Sequence, residues 1–177
     1  REVLAAYLHQ HGHHEAAERR IRQQPATYRS VAQGPELAHL LLILEAFPRF
    51  IRASQRQKLL KGLRTRIEKR LAKQWKKLGE ALNDPNHDRH RLRLLIKRVR
   101  YAAEAYPELD KLPPKAVSRL KAAQGALGDW HDCWQWLAQA GHEPDLQPCV
   151  SGWHRTMAEA EGRADRVLDK LSADCFA

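Results

Sequence analysis

One short basic segment carries the side chains of this sequence that are best suited to chemistry with anions. The stretch RHRLRLLIKRVRY, residues 89–101, holds seven Arg, Lys and His residues among thirteen. On a helix of about 100° per residue, Leu92, Ile96 and Val99 fall on one side, which we expect to face a core. A row of four cationic or titratable residues lies about a third of a turn away, and Arg98 lies on the other flank. The row has 3-4-3 spacing and consists of His90, Arg93, Lys97 and Arg100.

This row of like charges predicts a bound anion. Like charges at such spacing repel by about a few tenths of a kcal/mol per pair, so a counter-anion would relieve the repulsion. Arg offers planar forks and Lys a mobile point charge, and a His beside an anion gains a raised pKa and becomes a third donor. A row roughly 15 Å long suits a chain of phosphates better than one phosphate. Glu104 continues the row and should temper its far end. A solvated charged face without a ligand is the alternative.

Two more segments repeat this pattern. Gly128 lies within a predicted helix, where Gly costs about 1 kcal/mol against Ala, so it indicates close approach of a ligand or tight packing of another helix. It shares a face with Lys121, Gln124 and His131, and a third segment carries Arg66, Arg70, Lys73 and Lys77. We predict that the three helices line one positive groove. Its phosphate-contacting residues are predicted to be His90, Arg93, Lys97, Arg98, Arg100, Lys121, His131, Arg66, Arg70 and Lys73.

Two other clusters could carry chemistry of a different kind. The stretch HQHGHH, residues 9–14, offers imidazoles for a metal, but helical spacing aligns only pairs of them and fixes no carboxylate nearby. In GDWHDCW, residues 128–134, Cys133 lies two residues from His131, so the two side chains point apart on a helix. Asp132 is expected to pair with a neighbouring Arg. We therefore predict no metal site and no catalytic site.

The elements that position these residues are all predicted to be helices. The hydrophobic period is helical throughout, β-branched residues are scarce, and regular 3-4 spacing with short connections is typical of an antiparallel helical bundle. Pro25, Pro48 and Pro107 are interpreted as helix stops. The five tryptophans are interpreted mostly as core residues, because base stacking would require their exposure. The predicted helices span about residues 2–24, 35–47, 53–82, 88–106, 114–140 and 150–171.

The charge of the chain is concentrated in its middle. The 177 residues carry a net charge of +10, and residues 49–121 alone hold 22 basic and 7 acidic side chains. This distribution indicates an anionic partner and suggests two parts, residues 1–48 and 49–177. Three cysteines without a CxxC motif predict no disulfide framework and no zinc site. This cysteine usage fits a reducing, cytoplasmic setting. The longest apolar run is far shorter than a membrane span, so we expect no membrane partner.

Two of these segments resemble the signatures of CHAD domains, the conserved-histidine α-helical domains. HRLRLLIKRVRYAAE is similar to the signature helix, and LKAAQGALGDWHDCWQWL is similar to a second signature with Leu127, Gly128 and Asp132 as its core. The resemblance implies two four-helix bundles around a basic surface, binding of inorganic polyphosphate, targeting to polyphosphate granules, and frequent fusion to a CYTH-type triphosphatase domain. By this resemblance, the basic signature positions are His90, Arg93, Lys97 and Arg100, with Lys121 and His131 on the face of the second signature.

The resemblance has one gap, since no His-and-Arg signature helix precedes residue 49. We therefore expect the C-terminal bundle together with the tail of an incomplete first bundle. The missing half of the anion surface would then come from an N-terminal segment or from a second chain.

The sequence thus predicts a non-enzymatic module that binds inorganic polyphosphate and needs no cofactor. A nucleic-acid-binding helical module is one alternative, although no helix-turn-helix and no interleaving of aromatic and basic residues is visible. An accessory domain of a triphosphatase is another. A polyphosphate hydrolase would need carboxylates that hold Mg²⁺ beside the cations, and Asp129 with Asp132 alone do not make that site.

Overall fold

The computed structural model of the chain describes residues 2–22, 27–109 and 111–176. All regular elements in these ranges are helices, which confirms the predicted all-α fold. In chain order they are α1 (Glu2–Gln10), α2 (His14–Arg22), α3 (Thr27–Ala32), α4 (Pro35–Arg56), α5 (Leu63–Leu82), α6 (Arg89–Ala105), α7 (Ala116–Ala140), a 3-10 helix (Pro144–Cys149) and α8 (Val150–Cys175).

The chain divides into two compact units, Arg1–Leu63 and Arg64–Ala177. In the first unit α1 packs on α2, and Leu4, Leu8 and Ala17 are buried. The single helix predicted over residues 2–24 is wrong, because Gly12 adopts a positive φ of 81° that ends α1. The His13 N–H donates to the Leu8 carbonyl oxygen at 2.9 Å and closes this helix end. The predicted end of that helix at Gln24 lies outside the described residues.

Helix α4 continues through Pro48 to Arg56, so the helix stop predicted at this proline is wrong. Proline removes one intrahelical hydrogen bond and bends a helix, but the flanking turns keep their own bonds. The break falls instead at residues 57–62, where Gly62 has a φ of 73°. It divides the helix predicted over 53–82, and the boundary expected after residue 48 falls inside α4. Large apolar residues of α4 are exposed, namely Leu40, Leu41, Leu42, Ile43, Leu44, Phe47 and Phe50.

The second unit is an antiparallel bundle of α5, α6, α7 and α8. Helix α7 packs against both α6 and α8, and the core joins Leu78 of α5, Ile96 of α6, Leu127 of α7 and Leu171 of α8. Phe176 stacks on Trp75 with 4.2 Å between the ring centroids. A Cβ at Gly79 would lie 2.7 Å from Phe176, so this glycine permits the end of the chain to approach α5 closely.

Helix α6 begins and faces the core as its sequence predicts. Asp88 caps it by accepting a hydrogen bond from the Arg91 N–H at 2.7 Å. Leu92, Ile96, Val99 and Ala103 are buried, which confirms the predicted core face. Helical spacing also places Tyr106 on this face, but it is 43% exposed, because it is the C-cap residue and leaves the helical conformation.

Helical spacing predicts an apolar stripe along α7 and another along α8, and most residues of these stripes are buried or half-buried. Leu120, Ala123, Leu127 and Trp130 of α7 are buried, and so are Trp153, Ala160, Ala164 and Leu171 of α8. Trp134 continues the α7 stripe but is 49% exposed, so its assignment to the core is wrong. None of the helices in the described part of the chain combines the length and the hydropathy that a membrane span requires.

Candidate anion-binding surfaces

Ten cationic or titratable side chains predicted to bind phosphate, all in the second unit, fall into two groups, one on each flank of α6. The first group surrounds a cavity of about 590 Å³ between α5 and α6, which we call the α5–α6 cleft. The second group lies where α6 packs on α7, and we call it the α6–α7 face. It consists of His90, Arg93, Lys97, Arg100, Lys121 and His131. The cleft is lined by Arg66, Lys69, Arg70, Lys73, Gln74, Lys77, Leu95, Arg98 and Val99.

Most cations of the α5–α6 cleft have no acidic partner. Their spacing on α5 places them along one side of the helix, and Arg98 reaches the cleft from α6. The nearby acids are engaged elsewhere, since Glu68 pairs with Arg64 and Glu80 with Lys76. Among the described residues no ion pair involves the five cleft cations Lys69, Arg70, Lys73, Lys77 and Arg98. The cleft therefore holds concentrated positive charge that an anionic ligand can neutralise.

Two histidines and an arginine gather at the start of the α6–α7 face. The rings of His90 and His131 are 4.9 Å apart between centroids. Arg93 Nε and His131 Nδ1 are buried and have no hydrogen-bond partner among the described residues. Burial lowers the pKa of His131, and the positive charges of Arg93 and His90 lower it further, whereas Asp132 acts in the opposite direction. This cluster therefore concentrates hydrogen-bonding groups and charge without supplying them with an acceptor.

The other end of the α6–α7 face is partly neutralised. Arg100 donates from Nε to Gln124 Oε1 at 2.8 Å and pairs with Glu104 at 2.9 Å, which confirms that Glu104 tempers this end. The Arg100 guanidinium lies 4.6 Å from the ring centroid of Tyr101, and Lys97 Nζ lies 5.7 Å from it. Hydrogen bonds with Arg100 and Gln124 lower the pKa of Tyr101, and the charge of Lys97 adds to this effect. The charge that remains available is therefore centred on Arg93 and Lys97.

Gly128 has open space beside it. A Cβ built on this residue meets no atom within 4 Å, so the alternative of tight helix packing is wrong. Because His90 faces His131 and Arg100 bonds to Gln124, the antiparallel register places Gly128 across from Arg93. The space beside Gly128 is thus next to the unpaired donors of the α6–α7 face.

The predicted site residues are distributed over both surfaces, whereas the sequence predicted a single groove lined by three helices. Arg66, Arg70, Lys73 and Arg98 line the cleft. His90, Arg93, Lys97, Arg100, Lys121 and His131 belong to α6 and α7, where exposed Lys121 extends the face along α7. Sequence reasoning missed Lys69, although it lies four residues before Lys73 and the spacing signalled a shared face. The role of all these residues in binding stays a prediction.

The two remaining clusters, residues 9–14 and 128–134, lie at the junction of α1 with α2 and within α7. Burial raises the pKa of the Cys133 thiol, and the charges of Asp132 and Asp129 raise it further, which disfavours a thiolate. Asp132 has no ion-pair partner among the described residues, so its expected pairing with an Arg is wrong. In the stretch around residues 9–14, His9 and His14 meet edge to face at 4.7 Å. The described part of the chain contains no group of three or more side chains placed to hold a metal ion.

One family of helical domains matches the chain. The CHAD domain model matches residues 1–141, which is most of the chain. The chain therefore belongs to the CHAD domain family, as its two signature segments predicted. No curated protein and no solved structure matches the chain significantly.

Proposed function

We propose that this chain binds inorganic polyphosphate, without chemical turnover, through the cations on the two flanks of α6. The observation that carries the proposal is the α5–α6 cleft, where five cations without acidic partners surround one cavity. Membership of the CHAD family supports polyphosphate as the polyanion, because the resemblance of the signature segments implies this ligand.

The dimensions of both surfaces favour a chain of phosphates over a single one. Arg66 and Lys77 are eleven residues apart on α5, which corresponds to roughly 16 Å of helix. His90 and Arg100 span roughly 15 Å on α6. A single phosphate would engage one or two of these groups and leave the others repelling each other. A linear polyanion can contact all of them and cross α6, whose diameter with side chains is about 10–12 Å.

The binding energy would come from electrostatics and counterion release. A protein that neutralises several phosphates displaces the condensed counterions of the polyanion, so affinity falls steeply with salt. The half-buried setting of Arg93 strengthens its interaction with an anion, because solvent screens it less than a fully exposed cation. Binding of this kind would recruit the protein to polyphosphate granules.

The test compares three variants of the full chain in binding to long-chain polyphosphate. The cleft variant is R70A/K73A/R98A, and the face variant is R93A/K97A. The control, R155A/R166A/K170A, removes three positive charges from α8, at residues that line neither surface. We expect each surface variant to lose about tenfold or more in affinity, equivalent to about 1.4 kcal/mol, and the control to stay within about twofold of the parent chain.

Three results would contradict the proposal. Equal losses in the control and the surface variants would mean that only net charge matters. Displacement of bound polyphosphate by DNA of equal phosphate content would favour the nucleic-acid alternative. Release of orthophosphate in the presence of Mg²⁺ would show turnover and contradict the non-enzymatic part of the proposal.

A further inference from the structure

An exposed tryptophan lies at the start of the α6–α7 face, where it forms a row of aromatic rings with two histidines. Trp134 is 49% exposed, and its ring lies 5.7 Å from that of His131 at an interplanar angle of only 13°. His131 in turn lies 4.9 Å from His90. Because His90 near the start of α6 faces His131, Trp134 lies one turn further along α7, past the beginning of α6. This position explains its exposure, since no part of α6 extends over it.

The other four tryptophans of the bundle are already buried or engaged with another ring. Trp153 and Trp130 are buried, Trp75 stacks on Phe176, and Trp136 lies 5.6 Å from Trp153. The ring of Tyr101 carries the charged groups of Lys97 and Arg100. Among the five tryptophans, all within the described part of the chain, Trp134 is the one that combines high exposure with neighbouring polar groups that lack an acceptor.

Those groups are placed to take phosphates beside the exposed ring. His131 is only 7% exposed, its Nδ1 has no partner among the described residues, and the same is true of Arg93 Nε. The open space beside Gly128 lies across from Arg93, so a bulky anion has room there. An exposed aromatic ring next to side chains that bind phosphate is the combination that a nucleotide requires, because its base stacks on the ring while its phosphates bind cations.

We propose that the start of the α6–α7 face binds a nucleoside polyphosphate, with the base on Trp134 and the phosphates on His90, Arg93 and His131. The inference rests on the proposed function, since it uses the same phosphate-binding side chains. It adds a preference for a short phosphate chain that carries a nucleobase. Stacking of one base on an aromatic side chain is expected to strengthen binding by about 5- to 150-fold.

The geometry favours one nucleotide over a single-stranded nucleic acid. Binding of a strand uses successive aromatic platforms, one for each stacked base. At the other end of the α6–α7 face, Tyr101 is 44% exposed, but the Arg100 guanidinium lies 4.6 Å and Lys97 Nζ 5.7 Å from its ring centroid. A base would have to displace these cations to stack there, so Trp134 is the platform on this face that is open to a base.

The experiment compares ATP with methyl triphosphate, which has a matching triphosphate and lacks the base, in the absence of divalent cations. Affinities of both ligands are measured by calorimetry for the full chain and for W134A and W134F, with folding checked by circular dichroism. We expect the parent chain to bind ATP at least about fivefold more tightly than methyl triphosphate. W134F should keep most of this preference and W134A should lose it, while both should bind long-chain polyphosphate like the parent.

The outcomes separate this inference from the proposed function. Equal affinity of the parent chain for ATP and methyl triphosphate, together with intact binding of polyphosphate, would overturn the nucleotide site alone. Loss of polyphosphate binding in W134A would overturn it as well, because Trp134 would then act on the whole surface. A single-stranded oligonucleotide that bound more tightly than ATP through Trp134 would replace the nucleotide with a nucleic acid. Failure of the parent chain to bind any of these ligands would overturn the proposed function itself.

Discussion

The salt dependence of polyphosphate binding tests the assignment of individual cations most directly. Eight cations on the two surfaces have no acidic partner among the described residues, five in the α5–α6 cleft together with Arg93, Lys97 and Lys121. For a flexible single-stranded polyanion, each phosphate contact contributes about −0.7 to the slope of log K against log salt concentration. Eight contacts therefore predict a slope of roughly −6 for the parent chain.

Removing one cation should change this slope by an amount that depends on its partners. Lys73→Ala removes an unpaired cation of the cleft, so the slope should become shallower by about 0.7. Arg100→Ala should leave it nearly unchanged, because Glu104 already pairs with Arg100 and only 16% of the Arg100 side chain is exposed. Lys170→Ala on α8 removes the same charge away from both surfaces and serves as the control.

The assay is a titration of labelled long-chain polyphosphate at several salt concentrations between about 50 and 300 mM, repeated for each variant. The slopes, rather than affinities at one salt concentration, separate lost contacts from general changes in stability. A parent slope shallower than about −2 would refute the reasoning. So would an Arg100→Ala variant that loses as much slope as Lys73→Ala, because the pairing with Glu104 would then have no consequence.

Three further predictions concern the α6–α7 face and its surroundings. Gly128→Ala should stabilise the free protein by about 1 kcal/mol in thermal unfolding and yet weaken polyphosphate binding, because its methyl group enters the space across from Arg93. Gly125→Ala, also in open space, should stabilise α7 equally and leave binding unchanged; equal effects of both variants on binding would contradict this. The lowered pKa of His131 means that the unfolded chain binds this proton more readily, so the free energy of unfolding should fall as the pH drops below about 6.5. A bound anion raises the pKa of His131 again, so the affinity for polyphosphate should rise as the pH drops below about 6.5. His131→Gln should reduce both the loss of stability and the gain in affinity at low pH. Finally, burial and the raised pKa of Cys133 predict slow alkylation by iodoacetamide at neutral pH in the native state and fast alkylation in denaturant, and equal rates would contradict it.

The helices of the second unit could be predicted from the sequence because each carries a strong local signal. The apolar positions of α6 and α8 recur with helical spacing, and Asp88 supplies a capping side chain where α6 begins. Arg100 and Glu104 are one turn apart, so their pairing also follows from the sequence. Such signals depend on residues within a few positions of each other, and therefore they can be recognised without knowledge of the fold.

The wrong predictions in the first unit arise where a proline or a glycine gives an ambiguous signal about the end of a helix. Pro48 was interpreted as a stop, but a proline ends a helix only when the next turns lack support, and α4 continues for two further turns. Gly12 was not predicted to end a helix, although it ends α1 with a positive φ. A single glycine is tolerated in many helices, so only the backbone conformation distinguishes a helix end from a flexible interior position.

The arrangement of the site depended on packing that the sequence does not contain. The wheel of α6 correctly separates Arg98 from the row of Arg93, Lys97 and Arg100, but it does not say which helix lies on which flank. Placing α5 on one side and α7 on the other divides the expected single groove into two surfaces. The exposure of Trp134 also depends on packing. It is set by where α6 begins relative to α7 and not by the place of Trp134 in an apolar stripe.

The position of α6 between two neighbours explains why its sequence combines a core stripe with so many cations. A helix that packs on both sides has a narrow buried stripe and two boundary lines, where side chains are partly covered by the adjacent helices. In α6 these lines carry Arg98 towards α5 and Arg93 with Arg100 towards α7. A charge on a boundary line is screened less by water than one on the outer surface, so it attracts an anion more strongly, and it repels its neighbours more strongly when no anion is bound. Concentrating cations there is costly for a helix that only supports a core, and it is effective for a helix that holds a polyanion against two sides of the bundle.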